Sequence, residues 1–254
     1  MEKELVLQSI TKPVKMLFTG EGIELPPAAQ EAIERHWESL LQAGRKVTRG
    51  DLFTIGEIVE DELGVEVRVA STDYAHYLAT TARIAECLDY PCRVMYTAVL
   101  IQTIDDVYVI GEMGPYTSTP GRFTCVGGGI TRNDLLPDGV INVRKNAGTE
   151  LSEETGLDCS NPEHVRELRF THLRTGGARD FIGAVYLAET AIDAKQVEEI
   201  FQRHNELLRQ SGEEPELTRL VYLPNERGVL KDFLTQYEDR LEDSLLALLK
   251  QKCG

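Results

Sequence analysis

The apolar positions of this chain follow two rhythms, one that fits helices and one that fits strands. After Pro26 and Pro27, the residues Ala32, Ile33, Trp37, Leu40 and Leu41 recur near helical spacing, and Gly44 closes the helix they predict. Leu52 to Val59 and Val65 to Ala70 alternate instead, around the turn signal Asp61 to Gly64, which predicts a hairpin. Thr72 to Arg83 is rich in small and aromatic residues and predicts a short helix that crowds Tyr74, His76 and Tyr77 together. Residues 1 to about 90 thus read as an α+β block.

From Cys92 the pattern turns β-rich. Val94 to Gln102 and Val107 to Glu112 are strands about the two-acid turn Asp105–Asp106. Gly114 to Gly121 is punctuated as a loop, and Phe123 to Val126 is a short strand that runs into Gly127, Gly128 and Gly129. A helix is expected from about Gly139 to Thr155, stopped by Gly156. Val165 to Thr171 and Asp180 to Leu187 predict two more strands around Gly176 and Gly177. Ala191 to Gln210 is amphipathic, with Val197, Ile200, Phe201 and Leu208 inward. Leu217 to Leu223 is a last strand ended by Pro224, and Val229 to Leu249 a closing helix or pair of helices. A mixed sheet flanked by helices follows for this second block.

Composition narrows the function classes. The 254 residues are 42% apolar and 27% charged, as in ordinary soluble proteins, with no apolar run of the length a membrane span needs. The start, Met-Glu-Lys-Glu, lacks the basic-then-apolar build of a secretory signal, so the expected location is the cytoplasm. Five cysteines without a Cys-x-x-Cys pair read as reduced thiols rather than zinc ligands. The formal charge of -15, with no dense basic cluster, argues against nucleic acid and anionic membranes as partners. It leaves open a small phosphorylated ligand, because divalent cations neutralise carboxylates and phosphates together.

The chemistry concentrates in Thr149-Glu150-Leu151-Ser152-Glu153-Glu154-Thr155-Gly156-Leu157, where Glu150, Glu153 and Glu154 stand at i, i+3 and i+4. That spacing places three like charges within roughly a 100° arc of one helix face, where they repel. A solvated acidic face is the usual meaning of such a run. Here the apolar stripe Val140, Val143, Ala147 and Leu151 lies at roughly 20–100° from Glu150, and Glu154 falls inside it, near 40°. A carboxylate aimed at the core needs a partner, and oxygen-rich clusters suit hard cations such as Mg²⁺ or Mn²⁺.

This stretch resembles the Nudix box, whose pattern runs Gly-x5-Glu-x7-Arg-Glu-apolar-x-Glu-Glu-x-Gly-apolar. Its second half matches at Glu150, Leu151, Glu153, Glu154, Gly156 and Leu157. Upstream, Pro120 to Ile130 is similar to the loop, short strand and glycine turn that precede the box. The resemblance covers about residues 92 to 240. In two respects the chain departs from it: Thr149 stands where the motif has an arginine that orients the glutamates, and the stretch from Gly128 to Leu157 is longer than the box. Asp134 follows Gly128 at the Gly-to-Glu distance, which puts the extra residues in Leu135 to Asn142 and makes Asp134 a stand-in for the missing glutamate.

The resemblance implies a Nudix-type α/β/α sandwich with a mixed sheet over residues 91–254, preceded by a smaller α+β extension over 1–90. It implies that Glu150, Glu153 and Glu154 hold Mg²⁺ (or Mn²⁺) that bridges a diphosphate, in a hydrolase of nucleoside diphosphate derivatives. The lengthened box and the extension, around Phe18-Thr19-Gly20, Trp37, Phe53 and Tyr74 to Tyr77, look like the branch that hydrolyses UDP-sugars. Gly127, Gly128 and Gly129 would let the backbone turn tightly beside the metal helix, where a plain turn is the simpler use. Arg122, Arg174 and Arg179 are candidates to clamp phosphate or a nucleobase, against a solvated surface role. The alternative function is a catalytically weak or inactive Nudix-fold module that binds a nucleotide or a protein. The leucines from Leu241 to Leu249 fit a homodimer interface or, more simply, packing within their own domain.

Overall fold

The computed structural model describes residues 3–45, 47–117, 119–177 and 180–254. Its elements in chain order are β1 (Lys3–Ser9), β2 (Val14–Gly22), α1 (Pro27–Gln42), β3 (Asp51–Glu60), β4 (Val65–Asp73), α2 (Tyr74–Thr81), β5 (Met95–Gln102), β6 (Val107–Met113), β7 (Phe123–Thr124), α3 (Val143–Thr155), β8 (Val165–Gly177), β9 (Ile182–Thr190), α4 (Ala194–Ser211), β10 (Leu217–Pro224), α5 (Arg227–Tyr237) and α6 (Asp243–Cys253).

β5 shows how the larger sheet is built. Its residues alternate between two cores: Val99 and Ile101 join the core under α3 and α4, while Ala98 and Leu100 join the one under α5 and α6. A strand buried on both faces must carry apolar residues on both, and Met95–Gln102 does so almost without interruption. The sheet runs β1-β8-β9-β5-β6-β10, with β7 paired to β6. β5 and β9 are parallel and the other pairs antiparallel. The expected mixed sheet between two helical layers is therefore the architecture observed. Leu241, Leu245, Leu248 and Leu249 are buried in the second core, against Phe123, Leu230 and Phe233.

The N-terminal block forms a second, three-stranded sheet, β2-β4-β3, with α1 and α2 packed beside it. β1 does not belong to it. That strand pairs with β8 at the edge of the large sheet, so the expected division near residue 90 is crossed at the very start of the chain. β1 and β2 were not evident from periodicity: β1 is an edge strand whose Val6 stays 47% exposed, and β2 buries only Met16 fully. The two sheets share one core, in which Met16, Phe53, Ile55, Val67 and Val69 meet Val126, Ile141 and Leu151.

The segment before α3 also differs from expectation. Residues 139–142 are not helical, because Phe18 N–H donates to Gly139 O (2.9 Å) and Ile141 N–H to Met16 O (3.0 Å). A backbone already committed to a strand partner cannot also enter the helical ladder. The helix instead begins at Val143, where the Asn142 side chain accepts from Lys145 N–H. At the other end of the expected range, β8 continues past Thr171 to Gly177, lengthened by its pairing with β1.

His76 ties α2 to the loop that enters β5. Its two ring nitrogens meet Thr72 Oγ1 and Tyr90 O, both at 2.8 Å, and burial lowers its pKa below the usual histidine value. A lowered folded-state pKa means that the unfolded chain binds the proton first as pH falls. Stability contributed by neutral His76 is present above about 6.5 and is lost through that value toward the lower folded pKa. His76→Gln is accordingly expected to be less stable than wild type by about 1–3 kcal/mol at pH 7.5. Urea melts at pH 7.5 and 5.5 should show that gap narrowing at the lower pH.

Candidate functional site

The carboxylates of α3 sit against the backbone that joins β7 to the helix. Residues 126–130 run alongside β5: Val99 N–H donates to Val126 O (2.6 Å), Thr97 N–H to Gly128 O (2.9 Å) and Ile130 N–H to Met95 O (3.2 Å). This wedges the glycine triplet between the central strand and α3. Gly127 has φ +152°, and a Cβ there would collide with the Thr97 carbonyl; a Cβ on Gly128 would fall 2.5 Å from both carboxylate oxygens of Glu150. Gly129 meets no such obstacle. Gly127 is therefore required by close approach to backbone, and at Gly128 the Glu150 carboxylate occupies the space where a side chain would have been.

Glu154 is 7% exposed, in the apolar stripe as its helical position predicts. Its Oε1 accepts from Gly127 N–H at 3.3 Å, while Oε2 is buried without a hydrogen-bond partner. Burial, followed by the charges of Glu216 and Glu150, raises its pKa well above the ordinary carboxylate value. Glu150 is pushed up to about 7, first by burial and then by Glu153, Glu216 and Asp134, with only the Asn146 side chain opposing. Glu153 lies apart from this pair: it is exposed and lines a hollow on the outer face of α3 with Arg144, Lys145, Thr149 and Cys159.

Asp134 has a structural occupation. It is 5% exposed, and its Oδ2 accepts from Thr131 N–H (2.9 Å) and Asn146 Nδ2 (3.2 Å), which closes a capping box on the short 3₁₀ turn Arg132–Asp134. Sequence reasoning missed Asn146 and Glu216. Asn146 is four residues before Glu150, hence on its face of the helix, and that spacing was available as a signal. Glu216 precedes β10 in an acidic run, and nothing in its spacing pointed to α3.

The sheet face away from α3 holds a cavity of ≈ 430 Å³ that Gly127 also lines. Its walls include Tyr77, Tyr96, Arg122, Arg174, Phe181, Glu242, Asp243 and Ser244. Two of the three sequence-predicted arginines thus stand here, Arg174 buried and Arg122 half-exposed. Arg174 is 3% exposed and donates to Phe181 O (2.8 Å) and Asp243 Oδ2 (2.6 Å), leaving Nε buried without a hydrogen-bond partner. Arg122 donates to Leu241 O and lies 3.1 Å from Glu242. Arg179 falls outside the described residues. Tyr96 and Ser244 share a hydroxyl contact of 2.6 Å, and Tyr77 stacks on Phe181 with ring centroids 5.8 Å apart. Cys125, on the same wall, is held by burial at a pKa of about 12, which rules out a thiolate nucleophile there at neutral pH.

Among the described residues, no group of three or more His, Cys, Asp or Glu side chains is arranged to hold a metal ion. All five cysteines are free. No described helix is long and apolar enough to cross a membrane.

No family model matches the sequence, and no curated protein matches it either. The chain is similar to solved structures that include Nudix hydrolases. One, a Nudix hydrolase from Nitrosomonas europaea, is 12% identical, with 63% of this chain and 87% of that chain covered and a TM-score of 0.36. A MutT protein from Methanosarcina mazei Go1 is 12% identical, with 63% and 92% covered and a TM-score of 0.37. A bifunctional NMN adenylyltransferase/ADP ribose pyrophosphatase from Francisella tularensis, solved with AMP and a manganese ion, is 11% identical, with 71% and 48% covered and a TM-score of 0.40.

Two outcomes follow from this geometry. Gly127→Ala should cost about 1–3 kcal/mol in urea unfolding, because its new Cβ meets backbone at a positive φ. Gly128→Ala should cost clearly less, since it meets the movable end of Glu150. The raised carboxylates carry the opposite sign from His76. Their contribution is greatest below the unfolded value of about 4.5 and is lost as pH rises through the raised folded values, about 7 for Glu150. In chelator at pH 8, Glu154→Gln should therefore melt above wild type, by roughly 2–6 °C. A variant that melts lower would show that Glu154 is already compensated.

Proposed function

We propose that this chain is a Nudix-type pyrophosphohydrolase that uses Mg²⁺ or Mn²⁺ to cleave the diphosphate of a nucleoside diphosphate derivative. The observation that carries this reading is Glu154 Oε2, a buried carboxylate oxygen without a hydrogen-bond partner, four residues from a second carboxylate on the same helix face. A fold that keeps such a pair at neutral pH either protonates it or provides a cation. The donor set fits a hard cation in a particular way. Mg²⁺ commonly takes only one or two carboxylates and completes its shell with water and substrate phosphate oxygens, so a three-carboxylate cage is not required.

In this reading Glu150 and Glu154 hold the ion, and Glu153, the third carboxylate of the motif, stands at the exposed edge of the same helix. A bound divalent cation would neutralise phosphoryl charge and lower the pKa of a coordinated water. Glu150, rather than the outlying Glu153, would accept that water's proton. Gly127 and Gly128 let the backbone approach the carboxylates closely. The cavity beyond Gly127 would receive the group attached to the diphosphate. Its arginines are balanced by Glu242 and Asp243, and its hydroxyls supply donors and acceptors, a lining suited to an uncharged, hydroxyl-bearing group. That agrees with the resemblance to the UDP-sugar branch. Thr149 in place of the motif arginine favours the second reading, a nucleotide-binding module with little turnover.

A panel of UDP-sugars, ADP-ribose, dinucleoside polyphosphates and nucleoside triphosphates separates the two. The expected result is Mg²⁺-dependent release of a nucleoside monophosphate, strongest with a nucleoside diphosphate sugar. Glu154→Gln should lower kcat by a factor on the order of 10²–10³ with the fold intact. Calorimetric binding of a panel member without product would decide for the module, and unchanged turnover in Glu154→Gln would remove that residue from the site.

A further inference from the structure

We infer that Asn146 is the positioning residue for Glu150, doing from within the core what an arginine at position 149 would do from outside. The inference rests on the proposed cation site and concerns how its first carboxylate is oriented.

Asn146 is 3% exposed and lies one helical turn before Glu150. Its Oδ1 accepts from Thr97 Oγ1 at 2.6 Å. Its Nδ2 faces Asp134 Oδ2 at 3.2 Å, Gly129 O at 3.3 Å and Glu150 Oε1 at 3.4 Å. The orientation of the amide follows from these neighbours. Turned over, it would set its carbonyl oxygen against three acceptors, two of them carboxylate oxygens, so only the observed arrangement pairs donors with acceptors. An NH₂ group has two hydrogens, and here it serves three oxygens from three segments: the glycine turn, the 3₁₀ turn and α3 itself.

That position matters because Glu150 has every electrostatic reason to leave. Glu153, Glu216 and Asp134 bring like charge to bear on it. Thr149, the residue beside it, is exposed and carries no positive charge. Among the described residues, the neutral amide of Asn146 is the side-chain donor that meets the Glu150 carboxylate. It holds Oε1 from the protein side, while Gly128 supplies the space in which the carboxylate lies. Thr97, on β5, fixes Asn146 in turn, so the orientation of Glu150 is referred back to a strand buried on both faces of the sheet. The surroundings of a ligating carboxylate set its affinity for the ion nearly as much as the ligand itself.

The test uses Mn²⁺ as the probe, titrated into the metal-free full chain and followed by the electron paramagnetic resonance of free Mn²⁺. Asn146→Ala is expected to weaken Mn²⁺ binding by about 10–100-fold, with near-ultraviolet circular dichroism unchanged. With the best substrate of the panel, kcat should fall while KM stays within about twofold, as for a group that orders the metal rather than the substrate. Thr97→Val removes the anchor of the amide and leaves the amide itself in place. It should shift Mn²⁺ affinity in the same direction by a smaller factor, and it decides the matter if Asn146→Ala fails to fold. Mn²⁺ affinity within about twofold of wild type in folded Asn146→Ala overturns the positioning role alone. No Mn²⁺ uptake by the wild-type chain, with or without substrate, overturns this inference together with the cation site beneath it.

Discussion

A carboxylate placed inside an apolar stripe is the constraint from which the rest of this site follows. Burying a charge costs several kcal/mol unless something compensates it, and α3 buries Glu154 beside Glu150 with one backbone N–H between them. The surroundings read as accommodations to that placement. Gly127 and Gly128 give up their side chains so that the backbone can approach; β5 fixes that backbone through the bonds to Val126, Gly128 and Ile130. Asp134 is given over to the cap of a 3₁₀ turn, and its charge is partly answered by Asn146.

The N-terminal sheet acts on this arrangement from the far side of the same core. The stretch from Leu135 to Asn142 turns back on itself, with Leu136 N–H donating to Val140 O at 2.8 Å, and Val140 bridges to Leu17 of β2. Met16 then accepts from Ile141 and buries itself beside Val67 and Val69. Residues 136–141 thus dock the segment before α3 onto the N-terminal sheet. Backbone paired to β2 cannot also enter the helical ladder, so this contact sets where the first turn of α3 begins.

Much of this was legible in the sequence, for reasons that differ by element. The nearly continuous apolar run of β5, the amphipathic period of α4 and the stop at Gly156 are local signals, and each element lies close to where its signal put it. The position of Glu154 was also readable, because helical phase relates it to Leu151 and Ala147 whatever the fold around them. The first two strands were not, since an edge strand with exposed Val6 has no buried face to impose alternation. The helix start at Val143 was hidden because it is decided by β2, more than a hundred residues away in sequence. Glu216 reaches the carboxylate pair only through the strand order that puts β10 beside β6. Arg174 shows the converse case: its residue type suggested an anion clamp, while its burial against Asp243 commits both terminal nitrogens to acceptors of the protein itself.

That last point bears on how charge is divided between the two faces of the sheet. A chain of formal charge -15 repels a diphosphate at long range, and the arginines of the cavity do little to reverse this, because Glu242 and Asp243 stand beside them. A phosphate placed there would compete with carboxylates already in contact with both guanidinium groups. A neutral group would not, and would find hydroxyls at Tyr96 and Ser244 and a stacked pair of rings at Tyr77 and Phe181. Compensation for the anionic part of a ligand therefore has to come from the α3 side, where Glu150 and Glu154 present negative charge. Both requirements meet at Gly127, whose N–H faces Glu154 and whose backbone lines the cavity. On the proposed reading a cation is what makes the acidic face attractive to a phosphate at all. Recognition and activation of the ligand then depend on the same ion, while the cavity distinguishes one neutral substituent from another.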